Sequence, residues 1–184
     1  MVIVMFVRNT TVISILRANQ CCPFDNIFLI SVVEKIAKRL VTDGGAVAFH
    51  ATVDGLLSSN HQAGETVVFE TVKLNLGGGY DGTTGVFTCP TDGVYIFSTS
   101  IMTYHGTQTD VEKTRVHTAI MKNGEEIASA FASGGSGEME QGSVSAAIEL
   151  VRGDEVEVKF QRRNNMLMWG DKLTSFMGVL VTPL

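Results

Sequence analysis

Apolar and polar residues alternate with a period of two along most of the chain after residue 47. Between Glu155 and Phe160 every second residue is apolar and the others are charged, and the same period continues through Ser143–Leu150. A period of two places alternate side chains on opposite faces of a β-strand, whereas a helix requires a period of 3.6. Two further apolar faces show the same spacing: Tyr95, Phe97 and Ile101; and Phe176, Gly178 and Leu180.

Turn signals separate these alternating runs. Asn123-Gly124 is a strong signal for a two-residue hairpin, and Gly153-Asp154 marks the next junction. We count about eight to ten strands with no helical pattern between them. The sequence therefore predicts an all-β fold, an antiparallel sandwich or jelly roll.

The chain changes character near Thr42–Gly45, which divides it into a leader, 1–44, and a globular domain, 45–184. With 184 residues and 45% hydrophobic content, it is long and apolar enough to form one core. In the leader, apolar residues between Asp25 and Leu40 recur at helical spacing. This segment is either a short oligomerisation helix or a loosely packed leader.

The N-terminus leaves the cellular location open. Met1–Val7 is apolar, but no basic residues precede it and no clear cleavage site follows it, so a signal peptide is not evident. No apolar stretch reaches the 18 residues of a membrane span. Cys21 and Cys22 would suit interchain bridges in a secreted protein and would be plain thiols inside the cell. Cys89, before Pro90, fits a buried small hydrophobe.

The sequence argues against nucleic-acid binding and against an enzyme. The net charge is -5, whereas phosphate contacts need a basic face. Gly77–Gly82 matches G-x-G-x-x-G, but a strand pattern follows it where a dinucleotide site needs a helix. The four histidines show no i, i+4 pairing with one another, and Ser136 lacks the glycine of a nucleophile elbow two positions later.

One corner of the chain concentrates basic and polar residues against the overall acidic charge. It comprises Arg162, Arg163, Asn164 and Asn165, with Trp169 and Asp171 nearby in sequence. Arginine's planar fork suits carboxylate and phosphate, so this corner is a candidate patch for an anionic ligand, although such a run also fits a solvated loop. Trp169 fits either sugar stacking or packing in the core or at a subunit seam.

A second loop, Thr107–Arg115, is the alternative binding surface. Its candidate residues are Asp110, Glu112 and Arg115.

The order and spacing of several residues resemble the C1q domain over roughly residues 45–184. The spacing of Phe69, Asn75, Tyr80, Phe87 and Gly93-x-Tyr95-x-Phe97 reproduces the signature of that family. The resemblance continues at Val47–Phe49, Met121–Gly124, Gly142–Val144, Gly153-Asp154-x-Val156 and Ser175-Phe176-x-Gly178-x-Leu180. It implies a ten-stranded jelly roll of the C1q and tumour-necrosis-factor superfamily. We expect a buried core that includes Phe69, Tyr80, Phe87, Tyr95, Phe97 and Phe176.

The resemblance also implies a function. Domains of this kind form trimers with apolar residues along the three-fold axis, and most are secreted. No collagen-like repeat is present, so the chain resembles a globular-head-only member. The leading hypothesis is a lectin-like pattern-recognition protein of innate immunity that binds microbial glycans or anionic surfaces. The alternative is a cerebellin-like or adiponectin-like ligand of a protein receptor, which Cys21-Cys22 would favour by cross-linking trimers.

Some family members bind calcium in the loop before the Gly142–Val144 strand, mostly through aspartates. Here that loop offers Glu138 and Glu140 but no aspartate. The resemblance therefore gives only these two glutamates as calcium candidates, and it implies no other cofactor.

Overall fold

A computed structural model describes residues 3–7, 10–14, 45–57, 61–104, 115–133, 140–162 and 167–184. The chain divides into two units, Met1–Asp43 and Gly44–Leu184. In the first unit, β1 (Ile3–Val7) and β2 (Thr10–Ser14) form an antiparallel hairpin that the sequence did not predict. The predicted helix between Asp25 and Leu40, with Cys21 and Cys22, lies outside the described residues.

The second unit is built from two antiparallel sheets, which confirms the predicted all-β jelly roll. Its strands are β3 (Ala48–Thr52), β4 (Leu56–Leu57), β5 (Thr71–Leu76), β6 (Tyr80–Asp81), β7 (Val86–Thr88), β8 (Gly93–Tyr104), β9 (Arg115–Lys122), β10 (Glu125–Ser133), β11 (Glu140–Leu150), β12 (Glu155–Phe160), β13 (Leu167–Trp169) and β14 (Ser175–Pro183). One sheet has five strands in the order β10-β9-β12-β7-β6. The other has seven, in the order β4-β13-β8-β14-β3-β5, with β11 paired to β8. The described residues of this unit therefore form twelve strands where the resemblance implies ten, and two of the twelve, β4 and β6, are only two residues long.

The period-two pattern determines which side chains enter the core. In β12, Val156, Val158 and Phe160 are buried while the charged residues between them are more exposed. Asn123 and Gly124 close the β9–β10 hairpin with φ angles of 49° and 84°. Positive φ at both positions is the geometry of the predicted two-residue turn.

Aromatic side chains from both sheets meet in the centre of the core. All six predicted core aromatics are buried. Phe49 on β3, which that prediction omitted, lies among them. Its ring stacks on Tyr80 at 4.6 Å and on Phe87 at 5.2 Å, and meets the Phe176 ring edge-on at 5.0 Å. Pairs at such separations stabilise beyond the area that they bury.

The hydrogen bonds between Asn75 and Tyr80 give a structural reason for the spacing of these two residues in the signature. The Asn75 amide donates to the Tyr80 carbonyl at 2.8 Å and accepts from the Tyr80 backbone N–H at 3.2 Å. The Tyr80 hydroxyl lies between the backbone carbonyl and N–H of Phe69, at 3.2 and 3.3 Å. Burial raises the pKa of Tyr80 to about 12, so the hydroxyl stays neutral and keeps donating at physiological pH.

Glycines in this unit provide turns and close contacts. Gly77 and Gly78 adopt positive φ after β5, and the β6–β7 hairpin follows, in agreement with the turn interpretation of the Gly77–Gly82 motif. Gly178 on β14 faces the aromatic core between Phe49 and Phe97. A Cβ at Gly178 would lie 2.5 Å from the Phe49 ring and 2.6 Å from the Phe97 ring. The two rings therefore occupy the space that a side chain would need.

We expect Gly178→Ala to destabilise the domain by about 1–3 kcal/mol, because two buried rings must shift to admit one methyl group. In a chain of this size, each kcal/mol lowers Tm by about 2–4 °C. Gly45→Ala is the matched control, since its Cβ would meet nothing within 4 Å. Thermal unfolding followed by circular dichroism compares the two variants. Equal melting temperatures would contradict the proposed role of Gly178.

Candidate functional site

The side of the seven-stranded sheet that points away from the core, here called the outward face, carries an exposed apolar band. The band comprises Leu74 and Leu76 on β5, Ile96 on β8, and Met177 and Val179 on β14. Leu76 is 48% exposed, Leu74 41%, Ile96 40% and Met177 37%. Such a contiguous exposed apolar surface commonly marks a site of association with another protein.

Next to the apolar band lies a band of serine hydroxyls on the same face. In register, Ser98 on β8 lies opposite Ser145 on β11, and their hydroxyls are hydrogen-bonded at 2.9 Å. One step along the strands, Ser100 lies between Ser143 on β11 and Ser175 on β14. The outward face therefore changes from apolar to polar along the strands. The repeated Ser-x-Ser spacing in β8 and β11 was a sequence signal for this band that we had not used.

Trp169 lies at the far end of the same face. It is the last residue of β13 and pairs with Met102 on β8, while the preceding Met168 points into the core. The side chain of Trp169 is half-buried, so it is not a core residue. Its indole Nε1–H donates to the Asp171 carboxylate at 2.9 Å. The structure thus brings two of the predicted site residues together.

The turn after Trp169 has an uncommon backbone. Asp171 and Lys172 both adopt left-handed conformations, with φ of 46° and 70°. Non-glycine residues rarely adopt the left-handed conformation, and those that do are often found at functional sites. The turn is fixed on both sides, because the Leu173 N–H donates to the Gly170 carbonyl at 2.8 Å and the Gly170 N–H donates to the Gly55 carbonyl at 2.6 Å.

The remaining candidates are described only in part. Arg162 is exposed in the bend that follows β12, and Arg115 is exposed at the start of β9. Arg163, Asn164 and Asn165 lie outside the described residues, as do Asp110 and Glu112. Arg162 follows β12 of the five-stranded sheet, whereas Trp169 ends β13 of the seven-stranded sheet.

Glu140 is the one calcium candidate that the structure describes. It begins β11, and its carboxylate accepts a hydrogen bond from the Ser133 backbone N–H at 3.2 Å. Among the described residues, no group of three or more histidine, cysteine or acidic side chains could hold a metal ion. Glu138 lies outside those residues, and calcium binding at this loop stays a prediction.

The sequence analysis did not predict the contacts of His61 with Phe160 and Glu65, which lie on the side of the five-stranded sheet. The His61 ring stacks on Phe160 at 4.4 Å, with 11° between the planes, and its Nδ1 lies 3.0 Å from the Glu65 carboxylate. This hydrogen bond holds the pKa of Glu65 below its usual value. The i, i+4 spacing of His61 and Glu65 is the sequence signal for this contact.

Comparisons with known proteins agree with the fold and the residue spacing. A sequence model described as the C1q domain matches residues 48–181. The chain belongs to the C1q domain family. Domains of this family are generally extracellular, non-enzymatic ligand-binding modules, and they typically form trimers.

Solved structures share the fold at low sequence identity. The globular domain of zebrafish complement 1qA protein aligns with a TM-score of 0.57 and 19% identity over 75% of this chain and 99% of that one. The Eiger TNF from S. frugiperda aligns with a TM-score of 0.60 and 13% identity over 76% of this chain and 94% of that one. A crystal structure of murine APRIL at pH 5.0 aligns with a TM-score of 0.57 and 16% identity over 74% of this chain and 99% of that one. Within the described part of this chain, no helix has the length and hydropathy needed to cross a membrane.

We expect Asp171→Ala to change the environment of Trp169, which is the single tryptophan of the chain. The substitution removes the acceptor of the indole N–H and leaves alanine in a left-handed conformation, which together should destabilise by about 1–2 kcal/mol. Tryptophan emission should move to longer wavelength. Asp171→Asn is the matched control, because asparagine keeps an acceptor oxygen and tolerates positive φ. An unchanged spectrum in the alanine variant would show that the hydrogen bond does not orient the ring.

Proposed function

We propose that this protein is a secreted recognition protein that assembles as a homotrimer and binds microbial glycans or other anionic surfaces in innate immunity. The observation that carries this proposal is the Trp169–Asp171 pair, an aromatic ring and a carboxylate joined at 2.9 Å on a constrained turn. Membership of a family of extracellular ligand-binding modules supports it. The proposed site includes the Arg162–Asn165 connection that precedes β13.

The chemistry of these side chains suits a sugar with acidic groups. An aromatic face offers a flat apolar surface, and a nearby carboxylate accepts hydrogen bonds from hydroxyls. Arg162 and Arg163 would pair with carboxylate, sulfate or phosphate on the ligand. Because the protein carries a net charge of -5, these arginines would also steer anions toward the proposed site.

The apolar band on the outward face supports trimer formation through this sheet. Leu74, Leu76, Ile96 and Met177 each expose more than a third of their surface when the chain is considered alone. Covering them with neighbouring subunits would remove apolar area from water at about 25 cal/mol for each Å². Three recognition sites in one trimer would then bind a repetitive surface with avidity.

A protein receptor is the second candidate ligand. On the outward side of the five-stranded sheet, β10 presents Phe131, which is 54% exposed, and Ile127, which is 37% exposed. Exposed aromatic and aliphatic side chains of this kind fit a protein interface better than a sugar. Cross-linking of trimers through Cys21 and Cys22, as in cerebellin-like ligands, would add to this function.

We expect a chain beginning at Gly45 to have the mass of three subunits in light scattering at neutral pH. Ile96→Asp should shift the mass to that of one subunit, because it places a charge in the covered apolar band. Arg152→Asp, in an exposed turn, is the control and should remain trimeric. If the chain beginning at Gly45, without any substitution, had the mass of a single subunit, assembly through this face would be overturned. If only the full-length chain were trimeric, the leader would be the assembly element.

We expect Arg162→Ala combined with Arg163→Ala to weaken binding to acidic glycans and bacterial surfaces at least about tenfold at low salt, with a smaller difference at high salt. Glycan arrays with free-sugar competition provide the measurement, after melting temperature and trimer mass are shown to be unchanged. Arg152→Asp is the charge-matched control, because replacing one arginine by aspartate changes the net charge by the same amount as replacing both arginines by alanine. Binding at the level of the unmodified protein would exclude this corner and direct attention to the Thr107–Arg115 loop.

A further inference from the structure

One ionisable side chain lies within the apolar band. His50 on β3 pairs with Leu74 on β5 and with Met177 on β14, and all three side chains point away from the core. The next pairing along β3 joins Ala48 to Leu76 and Val179. His50 therefore has apolar neighbours on both adjacent strands.

The surroundings of His50 contain no acidic partner among the described residues of the band. On β5 the nearest charged residue is Lys73, which occupies the irregular position between Leu74 and Val72, and on β14 the described residues facing His50 are uncharged. Glu70 accepts a hydrogen bond from the Asp54 backbone N–H at 2.8 Å beyond the end of β3. Glu149 on β11 is separated from β3 by β14 and β8. Within one subunit, the described residues around His50 therefore supply no carboxylate that would compensate a buried imidazolium.

We propose that His50 makes trimer assembly sensitive to pH, with neutral imidazoles required in the assembled form and subunits released by acidification. The inference rests on the proposed trimer, in which the apolar band is covered. A histidine side chain gains its charge between about pH 8 and 5. In the separate subunit His50 is exposed and water can solvate that charge, whereas in the trimer the charge would lie among leucine and methionine side chains.

The direction of the effect follows from proton linkage. If the separate subunits bind protons that the trimer cannot bind, lowering the pH shifts the equilibrium toward separate subunits. Each trimer contains three copies of His50. At pH values below the ordinary pKa of histidine, about 6.5, the dissociation constant should therefore rise by between about tenfold and a thousandfold for each further pH unit, according to whether one or all three imidazoles take up a proton, and the rise should be smaller above that pH.

The test is sedimentation of the full-length chain at pH 7.5 and pH 5.5 over a range of concentrations. We expect a trimer at pH 7.5 and dissociation at pH 5.5, with far-UV circular dichroism showing that the subunits remain folded. His50→Gln carries no charge at either pH and should stay trimeric at both. His50→Lys carries a charge at both and should be dissociated at both. His61→Gln and His117→Gln, whose histidines lie away from the outward face, should behave like the unmodified protein.

Each other outcome counts against a definite part of the proposal. A trimer at both pH values, or dissociation at pH 5.5 that persists in His50→Gln, would overturn the role of His50 while leaving the trimer in place. Separate subunits at pH 7.5 would instead overturn the proposed assembly, and the pH switch with it. Unfolding at pH 5.5 in both the unmodified chain and His50→Gln would assign the effect to fold stability and would also reject the switch.

Discussion

The contact between aromatic rings from the two sheets is the constraint on which the rest of this domain depends. Phe49 packs against Tyr80 and Phe87 of the five-stranded sheet, and against Phe97 and Phe176 of its own sheet. This packing requires glycine at position 178, where two rings fill the space of a side chain. Because alternate residues of a strand face opposite ways, fixing these rings inward also fixes which residues face outward.

The outward face follows from this constraint. His50 follows Phe49 on β3 and Ile96 precedes Phe97 on β8, so each buried ring has a neighbour in the chain that points away from the core. A one-residue slip of β14 would bury Met177 in place of Phe176 and break the aromatic cluster. The apolar band is therefore held in register by the core beneath it.

Much of the fold, but less of the site, could be predicted from the sequence. Strict alternation is a local signal, so it identified buried rings such as Phe97, and the Asn123-Gly124 turn needs only two adjacent residues. The serine band depends on which strands pair and in which register, and that information is non-local. The β1–β2 hairpin was missed because Arg8 and Asn9, between the strands, include no glycine. Trp169 and Asp171, which are two residues apart, are hydrogen-bonded to each other, and their role in ligand binding stays a prediction.

The serine band gives a physical reason why the proposed assembly and the proposed recognition site would occupy different ends of one face. Burying the paired hydroxyls of Ser98 and Ser145 against apolar groups would remove water from their unused hydrogen-bonding positions, which is unfavourable. An interface that closes over Leu74, Ile96 and neighbouring apolar residues would therefore gain little by extending across the serines. Such a boundary would keep Trp169 accessible beyond it, so that a trimer could form without covering the residues proposed to meet the ligand.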